Sequence, residues 1–215
     1  MSTDVDTTPH RTDNTTMSQT TLTRAPLRWY PLTSIALAFI GWVASLALTI
    51  DKINLLQDPT YTPSCSISPL LSCGSVINTP QASVLGFPNP LLGIAGFAAA
   101  GMFGVALATG WKPPRWMWAI YTTATTIAAA FMHWLIFQSL AVIGALCPYC
   151  MVVWAVTIPL WWWTVLQTLR VYAPHAGITT LVNRFPLFPV AVWFTAVALT
   201  IFLRWQDYWL NTIGL

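Results

Sequence analysis

The sequence predicts an all-α integral membrane protein with five membrane-spanning helices. Hydrophobic residues make up 56% of the 215 residues and charged residues only 7%, whereas a soluble domain carries about 25% charged residues. A helix needs about 20 mostly apolar residues to cross a bilayer, and five separate stretches each approach this length. Many of the 13 tryptophans lie at the ends of these stretches, where aromatic side chains favour the membrane surface.

The chain divides into residues 1–28 and a predicted five-span membrane domain, residues 29–215. The first segment is rich in Thr, Asp, Asn and Ser and has almost no large apolar residues. Such a segment cannot bury enough surface to offset its ordering entropy, so we predict a disordered cytoplasmic tail. Arg24 and Arg28 precede an apolar stretch that continues to Ile50. Because this stretch is longer than a signal-peptide core of about 7–15 residues, an uncleaved signal anchor fits better.

The five predicted spans cover about residues 30–50, 90–109, 116–138, 146–169 and 187–203. The third and fourth are almost continuous, because no Asp, Glu, Lys or Arg lies between Arg115 and Arg170. Gly144 and Pro148 interrupt this stretch, and these two residue types are the strongest local signals of a turn. Two helices joined by a tight outer turn therefore fit the length better than one very long helix.

The basic residues predict the orientation in the membrane, since an excess of Lys and Arg marks cytoplasmic loops. A cytoplasmic N-terminus puts seven basic residues inside and two outside. The C-terminus and the loop from Asp51 to Asn89 are then extracytoplasmic. The net charge of +3 is dispersed along the chain, which argues against nucleic-acid binding. The inside set is Arg11, Arg24, Arg28, Lys112, Arg115, Arg170 and Arg184, and the outside pair is Lys52 and Arg204.

In this topology all four cysteines lie at the outer face, where disulfides form and persist. Cys65 and Cys73 lie in the first outer loop, and Cys147 and Cys150 form a CPYC motif at the start of the fourth span. A helix N-terminus favours the thiolate of Cys147, and Pro148 suits the first helical turn. Cys150 lies about one turn deeper, so it faces the apolar interior. Two such pairs on one side indicate a relay that passes electrons between disulfides.

Each pair also has a structural interpretation. The loop that holds Cys65 and Cys73 is rich in Pro, Gly and Ser, so a disulfide there is expected to be exposed and readily reduced, or else to be a stabilising staple. Cys147 and Cys150 could form a structural disulfide or remain two buried thiols. We predict no metal site, because the C-x7-C spacing differs from the short spacings of zinc pairs.

Three segments together resemble the bacterial form of the vitamin K epoxide reductase family. They are CSISPLLSCGSV, FPNPLLG and CPYCMVVW, in the order and at the spacing typical of that family. The resemblance covers about residues 32–170 and implies a four-helix bundle around a quinone, with a half-helix in the extracytoplasmic loop. Bacterial members often add a fifth helix that leads to a fused thioredoxin-like domain. This chain has the fifth stretch but ends at Leu215, which implies a separate redox partner.

The resemblance assigns an order to the cysteines. Cys65 would exchange with the partner protein, Cys73 would carry electrons to Cys147, and Cys150 would face the quinone ring. The implied function is a membrane thiol-disulfide oxidoreductase that reoxidises an extracytoplasmic DsbA-like or thioredoxin-like protein and passes the electrons to menaquinone or ubiquinone. One alternative is a DsbB-like quinone reductase of different fold, in which the two pairs occur in the opposite order. Another is a non-enzymatic membrane scaffold with two structural disulfides.

The resemblance also implies three quinone-site residues. Asn89 matches a residue that hydrogen-bonds a quinone carbonyl, Thr79 matches a Ser or Thr near the loop pair, and Trp154 replaces the tyrosine that bonds the other carbonyl in animal enzymes. Independently, Trp154 follows Cys150 by four residues and so shares its helix face. Asn89 could instead cap a helix. His133, inside the third span, is either a proton donor or a side chain that only packs and hydrogen-bonds internally.

Overall fold

The computed structural model describes residues 29–68, 70–174, 176–206 and 208. The predicted tail, residues 1–28, lies outside the described residues. Regular structure in the described part is helical, apart from one isolated parallel pairing of Leu71 with Leu146. Four of the helices are long and apolar enough to cross a membrane. The predicted fold class, an all-α membrane protein, is therefore confirmed.

The described residues form seven α-helices in three groups. Four long helices make up the bundle, the short helix α2 lies in the loop between the first two, and α6 and α7 follow the fourth. A 3-10 turn at Pro80–Ser83 precedes α3, and a π-helical turn at Gln138–Ile143 extends α4. The helices are α1 (Tyr30–Gln57), α2 (Cys73–Ile77), α3 (Pro90–Ala108), α4 (Arg115–Phe137), α5 (Pro148–Tyr172), α6 (Gly177–Arg184) and α7 (Phe188–Arg204).

Helix α1 extends well past the end of its predicted span at residue 50, as far as Gln57. Its two charged residues beyond that point both have partners inside the protein. Asp51 is buried, and the Lys52 ammonium donates a hydrogen bond to the Ile77 carbonyl at 3.0 Å. Since Ile77 ends α2, this bond also attaches the short loop helix to the outer end of α1.

The chain reverses direction between α4 and α5 at Gly144, which has φ +70°, a conformation that favours glycine. The Ser139 hydroxyl donates to the Ala145 carbonyl and helps to close the turn. Helix α5 begins at Pro148, two residues later than predicted, because Leu146 pairs with Leu71 and Cys147 caps the helix. The predicted break at Gly144 and Pro148 matches this turn.

Helices α1 and α3 pack closely because glycines face bulkier residues across their interface. A side chain at Gly41 would overlap the Phe97 ring, and one at Gly93 would overlap the Ser45 hydroxyl. Small residues allow two membrane helices to approach in this way. The core beside this contact also includes residues of α5, such as Val156, so α5 packs inside the bundle.

The two ends of the bundle are distinguished by their contacts. Tyr30 at the start of α1 packs with Leu107 near the end of α3 and Trp118 near the start of α4. The Tyr30 hydroxyl lies 2.9 Å from that of Thr164, late in α5. The bundle is therefore antiparallel, with the cysteines at the opposite end. Large apolar side chains such as Met102 are exposed on its outside, as lipid contact requires.

Helix α7 is apolar and attached to the bundle by hydrogen bonds. Its 17 residues span about 26 Å at a rise of 1.5 Å per residue, against a hydrocarbon core of about 30 Å, so the fifth span stays a prediction. The Trp193 indole donates to His133 Nε2 at 2.9 Å, and Arg204 Nε donates to the Leu140 carbonyl at 3.2 Å. Helix α6 has no counterpart in the sequence prediction.

Candidate active site

Two backbone hydrogen bonds bring the cysteine loop to the start of α5. The Ser72 N–H donates to the Leu146 carbonyl at 2.9 Å, and the Leu146 N–H donates to the Leu70 carbonyl at 2.8 Å. Each of the bonded segments is followed directly by a cysteine, Cys73 in one and Cys147 in the other. The two sulfur atoms lie 3.1 Å apart, which is close enough for thiol-disulfide exchange between them.

The loop pair is oxidised. Cys65 and Cys73 form a disulfide with a Cα–Cα distance of 5.7 Å. The prediction that this disulfide is exposed was wrong, since Cys65 is 6% exposed and Cys73 is 0% exposed. Leu48 and Ile77 pack in the same buried cluster, because α2 folds back against the end of α1. Of the two residues, Cys65 is the more exposed.

The helix pair is reduced, and Cys147 has the surroundings of a thiolate. Its sulfur accepts a hydrogen bond from the Cys150 N–H at 3.4 Å, as the cap of α5. Hydrogen bonding by the Cys150 side chain, and then by the backbone N–H groups of Cys150 and Tyr149, lowers the pKa of the Cys147 thiol. Burial and the negative charge of Asp51 oppose this shift. The lowered pKa agrees with the prediction from the CPYC motif.

Cys150 adjoins an apolar wall. Trp154, one helical turn further on, is 4% exposed and packs with Cys150 in one cluster, as the spacing predicts. Residues of α4 and of the turn after it supply more of this wall, and α7 covers part of it. The remaining side chains in contact there are Ile136, Leu140, Leu146, Leu71, Met132, Met151, Trp193, Ile201 and Trp205.

Asn89 immediately precedes α3, but its side chain forms no helix cap. Its amide nitrogen donates to the Gln81 carbonyl at 2.7 Å, and its amide oxygen accepts from the Val84 N–H at 3.1 Å. The side chain therefore closes the segment from residue 81 to 89, and the alternative of a helix cap was wrong. Since an amide has two N–H donors, one remains for a ligand, and the quinone contact of Asn89 stays a prediction.

Two further sequence candidates have partners within the protein. The Thr79 hydroxyl donates to the Val76 carbonyl at 2.8 Å, where it closes the end of α2. His133 Nδ1 lies 2.7 Å from the Ala129 carbonyl, and its Nε2 accepts from Trp193. These contacts fix the neutral tautomer with the proton on Nδ1, so His133 joins α4 to α7. That arrangement matches the internal hydrogen bonding considered for His133.

Sequence reasoning missed Asp51. Its carboxylate oxygen Oδ2 lies 3.5 Å from Cys65 Sγ, and Oδ1 accepts from the Tyr61 hydroxyl at 3.1 Å. The residue is only 6% exposed. An ionisable residue inside a membrane helix is by default a candidate for function, and this signal was available. It was lost because the predicted span ended at Ile50 and assigned Asp51 to the loop.

The wall beside Cys150 suits a flat apolar ring. Ligand sites are mostly lined by hydrophobic and aromatic side chains with a few polar groups. Here the wall is apolar and aromatic, and Cys150 is half-buried at its edge. The cysteine supplies a thiol and Trp154 an indole N–H, whereas the described contacts of Asn89 are with the segment before α3. The residues present therefore fit a quinone.

The sequence pattern of the vitamin K epoxide reductase family matches residues 32–165, which is more than half of the chain and contains all four cysteines. No curated protein matches the chain. The chain therefore belongs to the vitamin K epoxide reductase family, and it is a membrane oxidoreductase.

Proposed function

We propose that this chain is a quinone-dependent thiol-disulfide oxidoreductase that reoxidises an extracytoplasmic DsbA-like or thioredoxin-like protein. The observation that supports it most directly is the 3.1 Å separation of Cys73 Sγ and Cys147 Sγ. It connects the two pairs into one path from the loop to the apolar wall. A scaffold with two structural disulfides would not require the sulfurs of the two pairs to be in contact.

The path starts at Cys65. A thiolate of the partner protein attacks Cys65 Sγ, the Cys65–Cys73 bond breaks, and Cys73 leaves as the thiolate. Two observations support attack at Cys65. Cys65 is the more exposed of the two residues, and Cys73 lies next to Cys147. The partner and Cys65 are then joined by a mixed disulfide, which a second partner thiol resolves.

The path continues through the helix pair in its oxidised form. The Cys73 thiolate attacks Cys147 Sγ, the Cys147–Cys150 bond breaks, and the electron pair goes to Cys150. Cys150 then carries its thiolate at the edge of the apolar wall. A quinone held beside Cys150 would accept two electrons and two protons, and the Cys147–Cys150 disulfide would re-form. The chain's own residues shield this region from water, since Trp154 and Leu146 are buried.

We infer that both pairs face the extracytoplasmic side. The cysteines lie at the end of the bundle opposite to Tyr30, Leu107 and Trp118. The cytoplasmic excess of Lys and Arg predicts that the Tyr30 end faces the cytoplasm. An oxidising compartment at the cysteine end is consistent with the loop disulfide.

Turnover by the purified chain tests the proposed function. The full chain in lipid nanodiscs is mixed with a reduced DsbA protein and a short-chain ubiquinone or menadione. Quinone absorbance and the partner's thiols are then followed together. We expect one quinone to be reduced for each partner dithiol oxidised, and no turnover in Cys73→Ser. Partner oxidation that proceeds equally well without quinone would contradict the proposal.

The quinone contacts are tested in the same assay with matched variants. Asn89→Ala should slow quinone reduction by up to about 10²-fold. Removal of one hydrogen-bond donor from an oxyanion-type site lowers the rate by about 10²–10³-fold, and we expect the lower value or less here. Asn89→Asp keeps the acceptor for Val84 N–H but loses the amide donor, so it should slow the reaction similarly. Trp154→Phe should be milder. Wild-type rates in all three, with lowered stability, would limit these residues to structural roles.

A further inference from the structure

Asp51 is a buried acid beside the reactive sulfurs, and the proposed relay does not use it. Among the residues that the structure describes, its carboxylate accepts from the Tyr61 hydroxyl at 3.1 Å and lies 3.5 Å from Cys65 Sγ. Neither neighbour carries a positive charge. A buried carboxylate without a compensating cation is costly, and such groups mark functional sites in membrane proteins. The hydrogen bond to Tyr61 alone would stabilise the protein by less than this cost.

We propose that Asp51 accepts the thiol proton of Cys65 in the step that re-forms the loop disulfide. This inference rests on the proposed relay, in which Cys73 becomes bonded to Cys147 and the partner leaves Cys65 as a thiol. The Cys65 proton then moves to the Asp51 carboxylate while Cys65 Sγ attacks Cys73 Sγ. The Cys65–Cys73 bond forms, the Cys73–Cys147 bond breaks, and the electron pair goes to Cys147.

The structure has the arrangement of the products of this step. Cys65 is bonded to Cys73, Cys147 is a free thiol whose sulfur is still 3.1 Å from that of Cys73, and the carboxyl of Asp51 remains 3.5 Å from Cys65. The attacking, central and leaving sulfurs are therefore adjacent to one another. The proton acceptor lies next to the attacking sulfur, where a general base must be.

The step also leaves the combined charge of Asp51 and Cys147 unchanged. Before the step the negative charge of this pair is on Asp51, and afterwards it is on Cys147. The charge of Asp51 opposes ionisation of Cys147 and so acts to raise its pKa. Protonation of Asp51 removes this repulsion as Cys147 becomes the leaving thiolate. Asp51 and Cys147 are therefore not negatively charged at the same time, which would be costly in one buried cluster.

Other groups near Asp51 are less suited to take the proton. Water has little access, because Cys65 is 6% exposed. Lys52 follows Asp51 directly, but its side-chain nitrogen donates to the Ile77 carbonyl. The ionisable groups that contact Asp51, adjoin it in the chain or pack in the cluster of Cys65 are Tyr61, Cys65, Lys52, Cys147, Tyr149 and Cys150.

A quinone-free reaction isolates this step. The Cys150→Ser chain has three cysteines, which hold one disulfide and one thiol. They distribute between the Cys65–Cys73 and Cys73–Cys147 linkages without net oxidation. A jump from acidic to neutral pH shifts this distribution. Acid quenching and non-reducing peptide mass spectrometry then give the relaxation rate, and no quinone or partner protein takes part.

We expect Asp51→Asn in this chain to relax at least tenfold more slowly, since general base catalysis typically contributes about 10²–10⁴-fold. Its rate should also rise about tenfold per pH unit, because Cys65 must then lose its proton to hydroxide, whereas the rate with Asp51 should depend less on pH. Asp51→Ser should behave like Asp51→Asn. Asp51→Glu, which retains a carboxylate, should recover much of the rate.

Asp58→Asn is the matched control. Asp58 is an exposed carboxylate just beyond α1 that bonds the Thr60 N–H and hydroxyl, so its loss should leave relaxation unchanged. Unchanged relaxation in Asp51→Asn would overturn the proposal. Equal slowing in Asp51→Asn, Asp51→Ser and Asp51→Glu, with an unaltered pH dependence of the relaxation rate, would also overturn it. That result would show that Asp51 only holds the loop in place. The assay contains no quinone. A failure of the chain to reduce quinone in the turnover assay would therefore be a separate result.

Discussion

The loop pair and the helix pair each contain two sulfur atoms, but the surroundings of the two pairs are opposite. Cys65 lies beside a carboxylate oxygen of Asp51 at 3.5 Å. Cys147 instead accepts a backbone N–H at the start of a helix. Hydrogen bonding by the Cys150 side chain and by backbone N–H groups lowers the pKa of Cys147. Since a sulfur of lower pKa leaves more readily, the neighbours of Cys147 favour its departure when the loop disulfide re-forms.

The two pairs also differ in how they are held in place. Cys147 and Cys150 are fixed by the first turn of a long helix. Cys65 and Cys73 lie in and beside an irregular segment, and Cys73 reaches its position through backbone bonds to Leu146. The comparison shows that a regular helix start and an irregular loop can present sulfurs at contact distance when a short backbone pairing links them.

The largest expected effect concerns the contact between the pairs. A chain with Cys65→Ser and Cys150→Ser retains only Cys73 and Cys147, whose sulfurs are 3.1 Å apart. Mild oxidation should convert most of this chain to an internal disulfide, detected by non-reducing peptide mass spectrometry. The control chain with Cys73→Ser and Cys150→Ser should cross-link at least tenfold more slowly. Equal rates in the two chains would mean that Cys65, and not Cys73, faces the helix pair.

A second prediction sharpens the electrostatic difference at Cys147. Because the Cys150 side chain is the main cause of the lowered pKa, Cys150→Ala should raise the pKa of Cys147. Its thiolate should then appear only at higher pH than in the wild-type chain. Cys150→Ser should give an intermediate pKa, since a hydroxyl can also donate. Thiolate absorbance during a pH titration, with the loop disulfide oxidised, measures this. The same pKa in all three chains would contradict the stated cause.

The smallest expected effect concerns α7, whose residues Trp193 and Ile201 pack in the cluster that contains Cys150. Trp193→Phe removes the bond to His133, worth about 0.5–1.5 kcal/mol, from a side chain that packs in the Cys150 cluster. Maleimide should label Cys150 a few-fold faster, with the loop disulfide intact. The control Leu199→Ala changes an exposed residue of the same helix and should leave the rate unchanged. A rate unaffected by Trp193→Phe would show that α7 does not shield Cys150.

Much of the fold was predictable from local properties of the sequence. Apolar length identified the four long helices, and Gly144 and Pro148 located the turn between α4 and α5. The CPYC motif indicated a thiolate at a helix start. These signals depend on residues close together in the chain, so they can be recognised without knowledge of the tertiary contacts.

The missed features depend on contacts between distant segments. Burial of the loop disulfide requires α2 to fold onto the end of α1, which no spacing in the loop reveals. Asn89 was considered as a cap or a quinone ligand, and its bonds to Gln81 and Val84 were not anticipated. Asp51 lies one residue beyond the predicted end of its span. Its significance depends on Cys65, which is 14 residues away.

The pairing of Leu71 with Leu146 has a kinetic consequence. It makes Cys73 and Cys147 permanent neighbours, and well-oriented groups within one molecule react as though at effective concentrations of about 10⁵–10⁸ M. Even the lower value exceeds that of a millimolar thiol in solution by about 10⁸-fold. Small thiols in the surrounding compartment would therefore compete poorly for either sulfur. Electrons that enter at the loop would pass to the helix pair before they could be lost.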